Sequence, residues 1–133
     1  MINTGKCIVM DVDGTLCPVK GPGEEYATLA PYDDVLRRLR ALRAEGWYII
    51  LATSRNMRSF EGNIGLINAR TLPVLVAWLE VNDVPFDELH VGKPWAGRAG
   101  FYVDDRAIRP AEFVRHSVGE IERIIDRDRS QPA

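Results

Sequence analysis

Three aspartates stand out because each lies at or just beyond the end of a short apolar run. Asp11 and Asp13 follow the run that ends at Met10, and Asp104 follows the run that ends at Val103. Brought together, three carboxylates would repel one another unless a cation or a shared proton intervened. Mg²⁺, which takes one or two carboxylates together with waters and a substrate phosphate, suits this set better than zinc. The two histidines lie in separate predicted elements, so no zinc-type cluster is indicated.

A hydroxyl and a cation complete the groups that a phosphate needs. Thr53 follows a second apolar run and can donate a hydrogen bond to a phosphate oxygen, while Lys93 supplies a fixed positive charge. Asp11 could attack phosphorus and form an aspartyl phosphate, which splits one difficult hydrolysis into two easier displacements. Asp13 could protonate the leaving alkoxide and then deprotonate the attacking water, if crowded acidic surroundings favour its protonated form. The candidate catalytic residues are therefore Asp11, Asp13, Thr53 and Lys93.

The residues beside these groups are candidates for holding the substrate. Gly14 would let the backbone approach a phosphate closely, and Thr15 would hold the loop. Ser54, Arg55 and Asn56 follow the predicted threonine, where a substrate's distal hydroxyls could be bound, because Arg and Asn each offer several donors. The same side chains could equally satisfy the backbone of their own loop.

The elements that must position these residues follow from the hydrophobic pattern. Short apolar runs alternate with amphipathic stretches, which indicates right-handed crossovers and an α/β fold: a single doubly wound parallel sheet with helices on both faces. Ligands of such sheets bind at the carboxyl ends of the strands, where every polar cluster named above lies, so we expect the clusters to converge. The predicted strands are 6–10, 47–52, 88–91 and 100–103, and the predicted helices are 33–46, 71–82 and 117–127, with an irregular flap over 16–31 and a Gly/Asn-rich loop over 62–68.

The motifs also carry a family resemblance. Asp11-Val12-Asp13-Gly14-Thr15 after an apolar strand resembles the first motif of the haloacid dehalogenase superfamily, most of whose members are Mg²⁺-dependent phosphatases, and the later motifs follow in the family's order. The resemblance implies a Rossmann-like fold in which Asp11 is both nucleophile and metal ligand. It further implies that Asp13 is the acid and base and offers its backbone carbonyl to Mg²⁺. Asp104 would complete the protein ligands, and Asp105 could act through a metal-bound water.

Members of this superfamily usually carry a cap domain, inserted between the first two motifs or after the third. Here the first gap, 16–52, is mostly taken up by a helix and a strand, and the second, 94–100, is short, so the resemblance is to a capless form. Exclusion of bulk water would then come from the 16–31 flap, from the 55–69 loop, or from a neighbouring subunit that closes the open site in a homo-oligomer.

A narrower resemblance concerns the substrate. The strings Ser54-Arg55-Asn56-Met57, Gly92-Lys93-Pro94-Trp95 and 100–106 resemble small phosphatases of this superfamily that are encoded with capsule and surface-polysaccharide genes. That resemblance implies a small phosphorylated sugar, polyol or related precursor as the substrate, with Mg²⁺ as the cofactor.

Composition limits the other possibilities. With 133 residues, 46% hydrophobic and 27% charged, we expect one domain over 1–128 and a frayed tail over 129–133. The formal net charge of -2 argues against nucleic acid as the main partner. The apolar runs are shorter than the ~20 residues that span a bilayer. Without a recognisable secretory signal or disulfide framework, we expect a cytoplasmic protein with reduced cysteines.

Alternatives remain at this point. A receiver-like signalling domain shares the sheet, an acidic cluster, a hydroxyl and a lysine, but here the acidic pair follows the lysine instead of opening the chain. A phosphotransferase or phosphomutase of the same fold is chemically closer, although such mutases generally hold their intermediate under a cap. A non-catalytic partner protein is a third class, yet every catalytic residue type is present. Each polar residue could also have a purely structural role in a loop or helix cap.

Overall fold

The computed structural model describes residues 5–129 and confirms the α/β class. Its sheet has three parallel strands, arranged in the order β1-β2-β3 within the described residues. Strand pairing aligns Val9 with Ile50 and Leu51 with Leu89, and Ile49 and Leu51 are fully buried. The strands are β1 (Cys7–Met10), β2 (Tyr48–Ala52) and β3 (Glu88–His90), close to three of the four predicted ones.

The first helix, α1 (Asp33–Ala44), connects β1 to β2 and confirms the prediction for this stretch. Its first turn contains Asp33 and Asp34, whose negative charges suit the positive end of the helix dipole. The helix ends just before Gly46, which has a φ of +92°, a conformation that glycine adopts without steric cost. The face that it buries consists of Val35, Leu36, Leu39 and Leu42.

The helical run after β2 starts earlier than the sequence predicts. We expected a loop over 62–68, but α2 (Ile64–Leu66) begins there and continues through a π-helical turn (Ile67–Thr71) into α3 (Leu72–Val81). The side chain of Asn63 accepts the N–H of Leu66 and so caps the start. By length and composition alone, the helical run Ile64–Val81 could cross a membrane. This is weak evidence for a membrane span, because core helices of soluble proteins pass the same test.

The chain divides into two compact units, one up to Trp95 and one from Ala96 onward. The first holds the sheet, α1 and α3, together with a short 3-10 helix (Tyr26–Thr28). The single-domain prediction for 1–128 stays a prediction. Of the predicted tail, Arg129 is helical, and residues 130–133 lie outside the described part of the chain.

The second unit contains α4 (Pro110–Arg115), which the sequence pattern did not predict, and α5 (Val118–Arg129), which it did. Ser117 and Glu120 form the expected capping box, with reciprocal side chain to backbone hydrogen bonds of 3.0 and 3.2 Å. The predicted fourth strand over 100–103 is wrong as a strand: the segment is irregular, and Phe101 and Val103 are 80% and 88% exposed. An apolar run becomes a strand only where another strand pairs with it.

Candidate active site

The loop that follows β1 is a tight turn built around one buried carbonyl. Val12 is completely buried, and its oxygen accepts N–H groups from Thr15, Leu16 and Cys17 at 2.8–3.2 Å. Gly14, with a φ of +85°, lets the chain reverse at this point. The turn is therefore held by three hydrogen bonds to one carbonyl, and Asp11 and Asp13 lie on either side of Val12.

Lys93 reaches the first of these aspartates from a distant part of the sequence. Its Nζ lies 3.6 Å from Oδ1 of Asp11, and both side chains are about one-third exposed or less, at 27% and 32%. Burial raises the pKa of Asp11 above its ordinary value of 3.8, and the nearby Asp13 carboxylate acts in the same direction. The charge of Lys93 and the N–H of Val12 oppose this rise. Lys93 therefore favours the ionised form of the Asp11 carboxyl.

Thr53 links the ends of β2 and β3 to Lys93. Its N–H donates to the carbonyl of His90 at 2.9 Å, and its own carbonyl accepts the N–H of Lys93 at 3.1 Å. The side chain is almost fully buried, and its Oγ1 accepts the N–H of Arg55 at 3.0 Å. Because the hydroxyl oxygen is the acceptor in that bond, its hydrogen can still be donated to another group.

The second aspartate is paired with a buried arginine. Nε and Nη2 of Arg55 donate to the two carboxylate oxygens of Asp13 at 3.1 and 2.8 Å, a bidentate pair. The arginine side chain is 2% exposed, and its guanidinium lies 4.1 Å from the ring centroid of Tyr26. We expected acidic surroundings that favour protonated Asp13, whereas the structure places a cation directly against it.

Arg55 therefore contacts Asp13, which the sequence did not predict. It was a candidate for binding the substrate's distal hydroxyls or for satisfying its own loop, and it instead bonds to the loop after β1. Its Nη1 atom is buried and has no hydrogen-bond partner among the described residues. Sequence patterning could not find the Asp13 pair, because the two residues are 42 positions apart.

Three other candidates lie in the same two loops. Asn56 has a φ of +62°, and its side chain accepts the hydroxyl of Thr71 at 2.7 Å, so it helps to hold its loop. Ser54 is half-buried, and its carbonyl accepts the N–H of Met57 at 2.9 Å. Thr15 is half-buried within the turn after β1. All three accompany the predicted catalytic groups at the carboxyl ends of β1 and β2.

Two residues near Asp13 carry no sequence signal of their own. Tyr26 packs under the guanidinium of Arg55, and burial raises the pKa of its phenol. Cys17 is buried, and burial first and the Asp13 charge second raise the pKa of its thiol to about 12. Its thiol therefore stays protonated at neutral pH, which makes it a poor nucleophile. Both cysteines of the chain, Cys7 and Cys17, are free thiols in the structure.

The predicted acidic pair belongs to the second unit. Oδ1 of Asp104 accepts the N–H of Arg106 at 2.9 Å, and Asp105 forms a 3.2 Å ion pair with Arg129. Within residues 5–129, no group of three or more His, Cys, Asp or Glu side chains could hold a metal ion together. The four-residue metal set of Asp11, Asp13, Asp104 and Asp105 therefore stays a prediction.

Comparison with known proteins gives a structural relative. Neither a protein-family model nor a curated protein sequence matches the chain. A crystal structure of a structural-genomics target from Vibrio cholerae is similar, with 43% sequence identity and a TM-score of 0.88. The match covers 92% of this chain and 98% of the other. At this identity the two chains belong to one family and share the α/β fold.

Proposed function

We propose that the protein is a Mg²⁺-dependent phosphomonoesterase of the capless haloacid dehalogenase type, with a doubly wound fold and a covalent intermediate on Asp11. One observation carries the proposal: Lys93 lies 3.6 Å from Asp11 although 82 residues separate them. A carboxylate beside a fixed cation supports nucleophilic attack on a phosphate, and the backbone carbonyl of Thr53 holds the backbone N–H of the same lysine at 3.1 Å.

The residues present fit a magnesium ion. Asp11 and the backbone carbonyl of Asp13 would be the oxygen ligands on the loop after β1, and burial, which raises the pKa of Asp11, leaves a carboxylate that a nearby cation would stabilise. Mg²⁺ usually takes one or two carboxylates and fills its other positions with waters and substrate oxygens. When bound, the ion would supply positive charge against the phosphoryl oxygens.

In the first step, an Oδ of Asp11 forms a bond to phosphorus while the ester oxygen leaves. Lys93 and the hydroxyl of Thr53 stabilise charge on the phosphoryl oxygens. The departing alkoxide takes a proton from Asp13, which requires that residue to be protonated beforehand. The bidentate contact with Arg55 holds the Asp13 carboxyl in place two residues from Asp11.

In the second step, Asp13 removes a proton from water, which attacks phosphorus and releases Asp11 and inorganic phosphate. In this step Asp13 acts as a general base, and the two hydrogen bonds from Arg55 fix the position of its carboxyl. Arg55 is therefore a positioning residue for the base. The substrate class stays a proposal: a small phosphorylated sugar, polyol or related precursor of surface polysaccharide.

The test uses a chromogenic phosphate ester, p-nitrophenyl phosphate, with millimolar Mg²⁺. We expect hydrolysis that stops when the metal is chelated and returns when Mg²⁺ is added back. Asp11→Asn should abolish turnover, whereas Asp33→Asn, an exposed aspartate at the start of α1, should leave it unchanged. Wild-type rates in Asp11→Asn would refute the covalent mechanism.

A second variant separates the two chemical steps. Asp13→Asn should slow dephosphorylation and leave a phosphorylated protein, visible as a mass increase on the intact chain. A long-lived phosphoprotein in the wild type would instead favour the receiver-like alternative. A ranking of phosphorylated sugars, polyols and amino-polyols by kcat/KM would then identify the substrate class.

A further inference from the structure

The guanidinium of Arg55 has two kinds of neighbour. Nε and Nη2 donate to the two carboxylate oxygens of Asp13, at 3.1 and 2.8 Å. Nη1 is buried and has no hydrogen-bond partner among residues 5–129. The carbon that joins the three nitrogens, Cζ, lies 4.1 Å from the ring centroid of Tyr26. The hydrogen bonds therefore fix one edge of the guanidinium, and the tyrosine ring supplies the other contact.

The ring matters because the cation is buried. The side chain of Arg55 is 2% exposed, so a buried charge has one carboxylate as its ionic partner. The face of an aromatic ring carries negative charge density, which attracts a cation that lies within about 6 Å of the centroid. Nζ of Lys20, a second cation, lies 5.5 Å from the same centroid. The ring of Tyr26 thus provides an electrostatic contact that an aliphatic side chain would not provide.

Contacts with the core set the position of Tyr26. It begins the short 3-10 helix (Tyr26–Thr28), and its carbonyl accepts the N–H of Leu29 at 3.3 Å. Leu29 is buried, and its carbonyl accepts the indole N–H of Trp78, a buried residue of α3, at 2.7 Å. The 16–31 flap is therefore tied to α3 directly behind Tyr26 in the sequence, and the ring is a fixed surface for the guanidinium.

The Asp13 carboxyl is the last member of this series of contacts. Sγ of Cys17, also in the flap, donates to its Oδ1 at 3.7 Å, and the side chain of Asp13 is 21% exposed. In the proposed reaction this carboxyl gives a proton to the leaving group and later takes one from water, so its oxygens must lie within hydrogen-bond distance of the reacting atoms. A displacement of about 1 Å can lower a rate by about a hundredfold.

We propose that Tyr26 is a positioning residue for the acid and base of the reaction, an inference that rests on the proposed function. The ring, which the core holds in place, fixes the guanidinium of Arg55, and the guanidinium fixes the carboxyl of Asp13 for both proton transfers. Tyr26 acts through Arg55 and not on the substrate. The flap therefore belongs to the active site, although it contains none of the proposed catalytic residues.

The first test measures the contact between Arg55 and Asp13 without enzyme activity. In ¹⁵N NMR spectra the buried Nε–H of Arg55 should exchange slowly with water, and the Arg55→Lys variant identifies its signal by the absence of that signal. Tyr26→Phe keeps the ring and should keep the slow exchange, whereas Tyr26→Leu should accelerate the exchange by about tenfold or more. Equal exchange in the wild type and in Tyr26→Leu would overturn the proposal.

Two further variants complete this test. Tyr32→Leu makes the same replacement at a tyrosine that is 40% exposed, and as the matched control it should leave the exchange unchanged. Tyr26→Met takes the place of Tyr26→Leu if the amide spectrum shows that the leucine variant does not fold. The expected acceleration is the same, because methionine also lacks the ring.

The second test uses the leaving group to detect a displaced acid. p-Nitrophenolate leaves readily without a proton, whereas an alkoxide needs a proton from the general acid. For an alkyl phosphate such as a glycerol phosphate, Tyr26→Leu should therefore lower kcat/KM by about ten- to a hundredfold, whereas for p-nitrophenyl phosphate the loss should be about twofold or less. Tyr26→Phe should match the wild type with both esters. An equal loss for both esters would indicate a merely structural role and overturn the proposal.

The two tests separate this inference from the proposed function. A wild type without phosphatase activity would refute the proposed function, and the exchange of the Arg55 Nε–H would then decide whether Tyr26 positions the Arg55–Asp13 pair. An active wild type whose dependence on the leaving group is unchanged in Tyr26→Leu would overturn the role of Tyr26 and leave the proposed function intact.

Discussion

Replacement of Arg55 by methionine tests the most unusual feature of the site, the buried cation against Asp13. The variant keeps much of the side-chain volume but leaves a carboxylate without its partner in a largely buried position. Loss of one partner of a fully buried pair costs about 3–5 kcal/mol of folding free energy. Because the Asp13 side chain is 21% exposed, water can compensate in part, and we expect a loss of about 2–3 kcal/mol.

A double-mutant cycle gives the sharper result. Urea unfolding followed by tryptophan fluorescence would compare Arg55→Met, Asp13→Asn and the double variant. The double variant should be more stable than the sum of the two single losses predicts, by at least about 1 kcal/mol, since it leaves no unpaired charge. Arg58→Met, an exposed arginine 5.8 Å from the Trp95 ring centroid, is the matched control and should change stability by less than about 0.5 kcal/mol. Additive losses within about 0.5 kcal/mol would refute the reasoning.

Two further predictions concern charge. Lys93→Met removes the cation that opposes the rise in the pKa of Asp11. The acidic limb of the pH profile of kcat/KM should therefore move to higher pH, and kcat should fall by a factor of roughly 10²–10³. An unchanged pH profile would contradict this role of Lys93. Asp87 bonds to Arg43 at 2.6 Å and to the N–H of Ile49 at 2.8 Å, and these contacts, the arginine first, hold the pKa of Asp87 below its ordinary value of 3.8. A carboxyl whose pKa is lowered on folding stabilises the folded state above pH ~4, and this stabilisation is lost as the pH falls through the pKa of the folded state. Asp87→Asn should therefore lower the free energy of unfolding by about 1 kcal/mol at pH 7 and by less at pH 3, with kcat unchanged. An equal loss at both pH values would point to a different cause.

The part of the site that sequence predicts well is the part fixed by strand ends. Asp11, Thr53 and Lys93 each follow an apolar run, and parallel strands bring their carboxyl ends to one edge. That rule alone predicts their convergence, and the structure confirms it through the Lys93 contacts. No knowledge of side-chain geometry was needed, because β-strand direction determines where the chain leaves the sheet.

The parts that sequence misses depend on tertiary contacts. The local sequence around Arg55 is compatible with a side chain that faces solvent, a substrate or another loop. Only the fold determines that it bonds to Asp13. The 100–103 segment has strand composition, but a strand also needs a neighbouring strand to pair with, and composition alone does not provide one. The early start of the helical run at Ile64 depends on one side-chain cap, from Asn63, in a stretch that otherwise favours a loop.

The charges of the site suggest why metal and substrate would bind together. Asp11 faces Lys93, and Asp13 faces Arg55, so two carboxylates and two cations nearly cancel in the protein alone. A phosphate monoester adds about -1.5 to -2 charges at pH 7, which this balanced cluster does not neutralise. Under the proposed function, Mg²⁺ would supply the missing positive charge, whereas Mg²⁺ alone would compete with the two cations for the carboxylates. Under the proposed function, Mg²⁺ and the phosphate ester therefore strengthen each other's binding. Saturating Mg²⁺ should raise the affinity for the ester by a certain factor, and saturating ester should raise the affinity for Mg²⁺ by the same factor.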